Sequence, residues 1–316
     1  MFGGATRYVE TLDAVLEFVE SHTPTMDELV GWHCGSFERV SSRESILQRV
    51  SYLQRVGFIR QDGEQWVLDE AGREYVRDRD VGTLLRIMCE RNLGLRSLMY
   101  ALAAEPMTIE EVSDQQLDTH SELGWSRGET DMALQRVNWL RSMGMVEKRD
   151  DRYVLTDSGY GFVDEVVTEW AAAASTPEAV GGTAASVYET TTQARAVDPE
   201  FRVTVLSRYD RMCPVSGVDH QGLLDVAHIL SWSEYPEHRA DLGNVLPLSK
   251  THHAAFDREL FTIDRDCRVR VDPSFETESE VLQRTIVEQA GERIPVPDAG
   301  PNPEYVARRN AALDWV

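Results

Sequence analysis

Apolar positions in the first half of the chain keep a helical spacing that gives way twice to short strands. In residues 47–76, LQRVSYLQRVGFIRQDGEQWVLDEAGREYV, the side chains of Leu47, Val50 and Leu53 recur at three-residue steps. That spacing predicts one apolar face of a helix. Ser41-x-x-Glu44 has the form of a capping box that starts it, and Gly57 suits the left-handed residue that ends it. Phe58-Ile59-Arg60 and Trp66-Val67-Leu68 flank the polar turn Gln61–Glu64 and predict a hairpin, with a closing helix from about Asp69. Residues 134–163, LQRVNWLRSMGMVEKRDDRYVLTDSGYGFV, repeat this pattern without a gap. Identical pairs include Leu47/Leu134, Gln48/Gln135, Arg49/Arg136, Val50/Val137, Leu53/Leu140, Gly57/Gly144, Leu68/Leu155 and Gly72/Gly159. The second copy has its own capping pattern, Ser126-x-x-Glu129. Its strands are Met145-Val146-Glu147 and Tyr153-Val154-Leu155, joined by the turn Lys148–Asp151, and its closing helix starts from Asp157. Two copies with a long period mean a duplicated module and not a solenoid.

Upstream, Tyr8–Ser21 and Met26–Trp32 supply two further helices for copy one, and Gly94–Ala104 with Thr108–Leu117 supply them for copy two. Asp80–Glu90 reads as a connecting helix. Three helices followed by a hairpin is the winged-helix plan, a relative of helix-turn-helix. The stretch WLRSMGMVEKRDDRYVLTDSGYGFV resembles winged-helix modules of transcription regulators and of the N-terminal part of Mrr-type restriction enzymes. The third helices are expected to expose Arg43, Arg49 and Arg55 in copy one, and Arg127, Arg136 and Arg141 in copy two. Arginines on a solvated helix are common, so protein binding stays open beside DNA binding.

A chain of 316 residues has room for two or three units with their own cores. From 171 to 197 the composition turns to Ala, Gly, Ser and Thr and reads as a linker. The expected organisation is α+β and multidomain: winged-helix modules at 1–79 and 80–170, the linker, and a further domain at 198–316. No apolar run approaches bilayer length and the start lacks a signal-peptide pattern, so a cytoplasmic protein with no membrane partner is expected. Cys34, Cys89, Cys213 and Cys267 form no C-x-x-C pair; Cys213-Pro-Val-Ser216 breaks the one place for it, and no structural zinc is expected. The net charge of −22 opposes contact with a phosphate backbone. Yet of the 32 lysine and arginine residues only Lys148 and Lys250 are lysine, a bias of halophilic proteins. In molar salt the screening length falls to about 3 Å, so net charge then speaks of the solvent and not of the partner.

Residues 198–316 carry the chemistry. His228 ends a predicted strand, 223–230, and a neutral imidazole there suits a general base. His253 and Asp257 stand at i and i+4 of a predicted helix, where both side chains share a face and can hold one metal ion. The segments DPEFRVTVLSRYDRMCPVSGVDHQGLLDVAHIL, DLGNVLPLSKTHHAAFDRELFTID, GERIPVP and EYVARRNAALDWV together resemble the HNH endonuclease family, in its restriction-type branch. The resemblance implies a ββα-metal nuclease domain acting on DNA with a divalent cation, Mg²⁺ first and Mn²⁺ next. It implies His228 as base, Asn244 orienting the His228 ring, and His253 with Asp257 as metal ligands.

Many relatives have Asp or His directly before the base; here that place is Ala227. Asp225, on the same strand face as 227, is a substitute ligand. Without it the ion keeps more water, which suits Mg²⁺. His252 points about 100° away from His253 around the helix and is secondary. Arg258 is either a phosphate contact or a solvated arginine, and Phe256 and Phe261 are expected in the core. Two functions follow: an endonuclease of genome defence, or a DNA-binding regulator with a degenerate HNH domain, which Ala227 favours. Cutting both strands with one site per chain would favour a homodimer.

Overall fold

The computed structural model describes residues 7–37, 42–174 and 197–316. These group into two compact units, the first within Met1–Leu95 and Met107–Gly159, the second within Arg96–Pro106 and Tyr160–Val316. Both units mix helices with small two-stranded antiparallel sheets, an α+β composition. Among the described residues no helix is long and apolar enough to cross a membrane. Ser41 and linker residues 175–196 lie outside the described residues.

In the first unit, copy one runs α1 (Tyr8–His22), α2 (Met26–Ser36), α3 (Arg43–Val56), β1 (Ile59–Asp62), β2 (Gln65–Leu68) and α4 (Glu70–Asp78). After α5 (Val81–Arg91) and α6 (Leu95–Ala104), copy two continues with α7 (Ile109–Thr119), α8 (Asp131–Ser142), β3 (Val146–Arg149), β4 (Arg152–Leu155) and α9 (Asp157–Ala174), which from Tyr160 onward belongs to the second unit. Capping boxes start the second helix of each copy, Thr25 with Glu28 and Thr108 with Glu111. The boxes expected at the third helices differ. Ser42 caps α3 by accepting from the Ser45 N–H. Ser126 and Glu129 close a turn ahead of α8, with the Ser126 N–H donating to Glu129 Oε2 at 3.1 Å.

The buried face of the third helices also shifts. Leu47 and Leu134 remain 37% and 38% exposed, while Ile46, Val50 and Leu53, and Ala133, Val137 and Leu140, are buried. Of the arginines expected on the basic faces, Arg43, Arg55 and Arg127 are exposed, Arg136 and Arg141 are partly buried and Arg49 is buried. Arg49 is buried, its guanidinium 5.4 Å from the centre of the Phe37 ring. Arg136 donates to the Leu93 carbonyl at 2.7 Å and lies over Trp125. Arg43 pairs with Asp27, and Arg127 with Asp114 and Asp118.

Helix α6 is the larger departure. From Arg96 onward it belongs to the second unit, not to copy two. Arg96 pairs with the buried Asp198 carboxylate at 2.8 Å, the Ser97 N–H donates to Glu200 at 2.8 Å, and Tyr100 meets Phe201 edge-on. Asp198 also caps α10 (Pro199–Arg208) by accepting from the Glu200 and Phe201 N–H groups. Thereafter come β5 (Leu224–His228), β6 (Val245–Ser249), α11 (Lys250–Asp257), the hairpin β7 (Phe261–Ile263) and β8 (Val269–Val271), α12 (Glu280–Thr285) and α13 (Pro303–Asn310). Strands β5 and β6 pair antiparallel, with Ala227 opposite Leu246 and His228 opposite Val245. Ala227, Leu246, Leu248, Phe256 and Phe261 share one core beneath the helix.

Gly72 and Gly159, matched between the copies, explain themselves by packing. A Cβ on Gly72 would stand 2.0 Å from the Phe58 carbonyl oxygen, and one on Gly159 2.3 Å from that of Met145. Gly161 has nothing within 4 Å. Gly72→Ala and Gly159→Ala are therefore expected to lower stability by about 1–3 kcal/mol each through overpacking, whereas Gly161→Ala, inside α9, is neutral or stabilising. Thermal melting of the three variants checks this; equal melting points would refute the packing account.

Candidate active site

Strand β5 delivers His228 at its last position, where the chain leaves the sheet. The ring is half-buried, and its Nε2–H donates to the Arg239 carbonyl at 2.9 Å. A carbonyl can only accept, so the proton sits on Nε2 and the Nδ1 lone pair stays free. This tautomer is assigned from the hydrogen-bond network. Trp232 meets the imidazole edge-on at 5.0 Å. Burial foremost pushes the His228 pKa down from 6.5 to about 4; the Arg239 carbonyl works the other way, and the charges of His253 and Arg239 add to the lowering. The ring is thus neutral at ordinary pH, as a base must be.

Asn244 makes no hydrogen bond to that ring. It is buried, and its Oδ1 accepts from the Leu230 N–H at 2.8 Å. Its Nδ2 donates to the carbonyls of His238 (3.0 Å) and Leu230 (3.4 Å), while its own carbonyl accepts from the Ile229 N–H at 2.8 Å. The expected bond to the imidazole is replaced by bonds to main chain on both sides of the loop 229–243. Asn244 acts at one remove, because it fixes His238, the neighbour of the carbonyl that holds His228. From the C-terminus, Arg309 lies 3.7 Å over Phe256 and donates to the carbonyls of Ile229 (3.2 Å) and Phe256 (2.6 Å). Tyr305 donates to Asp241 at 2.7 Å. Helix α13 therefore clamps the same loop.

His253, Asp225 and Asp257 are neighbours, but they do not converge. His253 lies between the two carboxylates, Nδ1 3.6 Å from Asp225 and Nε2 3.4 Å from Asp257. The two ring nitrogens point apart, so one ion can use only one side. The sides differ. His253 Nδ1 is buried without a hydrogen-bond partner and Asp225 is largely buried, whereas Asp257 is exposed. An orphaned imidazole nitrogen beside a carboxylate is a donor pair that fits a cation, since bonds of about 2.0–2.2 Å let one ion bridge donors this far apart. Among the described residues no group of three or more His, Cys, Asp or Glu side chains is close enough to hold a metal ion. The fit is therefore to an ion that takes two protein ligands and keeps its water.

His252 leaves the candidate site. Its Nε2 bonds Thr285 at 3.0 Å and its Nδ1 bonds Ser249 at 2.8 Å, so both nitrogens are used in holding α11. Arg258 is exposed and turns back to the Ala254 carbonyl at 3.3 Å, a helix-end contact. Sequence reasoning missed Arg239, Trp232 and Arg309. The Trp232–Arg239 stretch was legible as aromatic and basic, but a main-chain carbonyl leaves no mark on residue type.

Residues 213–264 match the family model described as HNH endonuclease. The match spans His228, Asn244, His253 and Asp257 together with the ββα arrangement that positions them, and points to nuclease activity. No curated protein matches the chain.

Asn244→Ala would leave the buried Leu230 N–H without its partner, at about 1–3 kcal/mol for a buried group left unsatisfied, while the His238 carbonyl keeps the Asp241 N–H. Chemical denaturation is expected to show that loss, and an unchanged midpoint would refute the bracing role. The His228 shift has its own sign. The unfolded imidazole takes its proton near pH 6.5 and the folded one only near 4. Stability is therefore present above 6.5 and lost as pH falls from 6.5 towards 4. Denaturation of His228→Gln against wild type over that range is expected to give a shallower acid limb for the variant.

Proposed function

We propose that the second unit is a metal-dependent DNA endonuclease with His228 as general base. The observation that carries this is the Nε2–H bond to the Arg239 carbonyl, which leaves Nδ1 as an unprotonated acceptor. In this reading Nδ1 takes a proton from the water that attacks phosphorus, and the P–O bond to the leaving sugar oxygen breaks. The low proton affinity of the free site rises as the anionic phosphodiester arrives, because a nearby negative charge favours the imidazolium. Asn244 keeps the loop, and with it the base, in position. Asp225 and His253 hold the divalent cation, with Asp257 the alternative partner; bound there, Mg²⁺ or Mn²⁺ would supply charge neutralisation on the phosphate. A restriction or defence role rests on the resemblance of 198–316 to restriction-type nucleases, and a homodimer would follow if both strands are cut, since each chain has one such site.

For the repeats we propose winged-helix modules that bind DNA. A second reading, protein binding, has an observation in its favour: Arg49 and Arg136 are engaged within the unit, and the exposed Arg43 and Arg127 are paired with carboxylates.

The test is cleavage of supercoiled plasmid in Mg²⁺ or Mn²⁺, in molar and in low salt. Wild type is expected to nick or linearise it. His228→Ala is expected to lose about 10²–10⁴ in rate while still shifting DNA in a gel. Calorimetric titration of Mn²⁺ separates the ligands: Asp225→Asn should abolish binding and Asp257→Asn should weaken it less. The reverse order would move the ion to the Nε2 side of His253. A wild type that cuts no DNA with any metal would hand the case to the regulator reading.

A further inference from the structure

The loop that holds His228 also carries a cation that the base does not use. Arg239 gives its carbonyl to His228, while its side chain turns to Trp232. Its Nε donates to the Trp232 carbonyl at 2.8 Å, and the guanidinium lies 4.9 Å from the centre of the indole ring. The His228 imidazole meets the same indole edge-on, 5.0 Å between ring centres. Trp232 is thus shared between base and guanidinium, and the Arg239 charge is near enough to act on the imidazole.

The contrast with other arginines of the chain is chemical. Arg96, Arg127 and Arg270 are tied to carboxylates. Arg239 makes no ion pair among the described residues; Glu237 is the acidic group whose charge reaches it, without contact. Its Nε and the face of the ion are held by the protein, and the two Nη groups remain for a ligand. A planar fork held this way is pre-set for two oxygens of a phosphate. Stacking on the indole fixes its orientation at no cost in charge.

We propose that Arg239 is a phosphate-binding residue of the active site, its Nη groups meeting the scissile phosphodiester beside His228. The proposal rests on the endonuclease reading of the second unit. Arg239 is then a catalytic residue in its side chain and a positioning residue in its main chain. Trp232 is the platform that keeps fork and base in register.

The two roles can be separated, because any residue at 239 supplies the carbonyl. Single-turnover cleavage at saturating DNA is measured for wild type, Arg239→Gln and Arg239→Lys. Removing a donor aimed at developing charge costs about 10²–10³ in rate, and that drop is expected for Gln. Lys keeps the charge without the fork and should fall between. In a His228→Ala background, where no cleavage is needed, the slope of log affinity against log salt should shrink by about one on Arg239→Gln. Circular dichroism and melting of the Gln variant should match wild type. The proposal is overturned if the Gln variant cuts within about twofold of wild type. It is overturned too if the salt slope is unchanged, or if cleavage is lost only together with the cooperative melt. If wild type itself does not cut, the endonuclease reading fails, and the salt-slope arm still decides whether Arg239 meets phosphate.

Discussion

The hydrogen bond from His228 Nε2 to the Arg239 carbonyl is the constraint on which the rest of the site depends. It decides which nitrogen carries the proton, and so whether the ring can accept another. A single such bond contributes only about 0.5–1.5 kcal/mol, too little to hold a loop by itself. The second unit therefore fixes the loop from several sides. Asn244 ties Leu230 to His238, Asp241 accepts from Tyr305, and Arg309 reaches the Ile229 carbonyl from the C-terminal helix. Each of these bonds ends on main chain or at a loop carboxylate, so the loop is specified by its backbone more than by its side chains.

That distribution explains what could be read from the sequence. Hairpins and third helices were legible because their apolar spacing and end signals are local: Gly57 and Gly144 do sit at positive φ, and the strands pair as expected. His228 ends β5, Asn244 directly precedes β6, and His253 with Asp257 lie on α11, so the residues of the motif fall on or beside one ββα arrangement. Partners were less legible. Asn244 was expected on the imidazole and is found on carbonyls, which carry no residue identity. His252 and His253 are adjacent in sequence, yet one is spent on Ser249 and Thr285 while the other has a buried orphan nitrogen. Helical spacing alone put His253 and Asp257 together. It could not tell that Asp225 would lie at the other ring nitrogen, since that depends on how the helix is set against β5. The same limit hid helix α6, whose anchors Asp198 and Glu200 lie about a hundred residues away in the chain.

Charge behaves similarly. A net charge of −22 describes the chain as a whole, but in the candidate site Arg239 and the half-buried His228 meet at one indole. Three arginines of the third helices run the opposite way: Arg43, Arg49 and Arg136 looked available in the sequence and are engaged within the unit.

The measurement closest to the central claim is the tautomer of His228 itself. Long-range ¹H–¹⁵N correlation of the imidazole at neutral pH reads the two nitrogens separately, with His228→Gln providing the assignment. The account predicts a neutral ring with a protonated Nε2 and an unprotonated Nδ1. A proton on Nδ1, or an imidazolium at neutral pH, would contradict it.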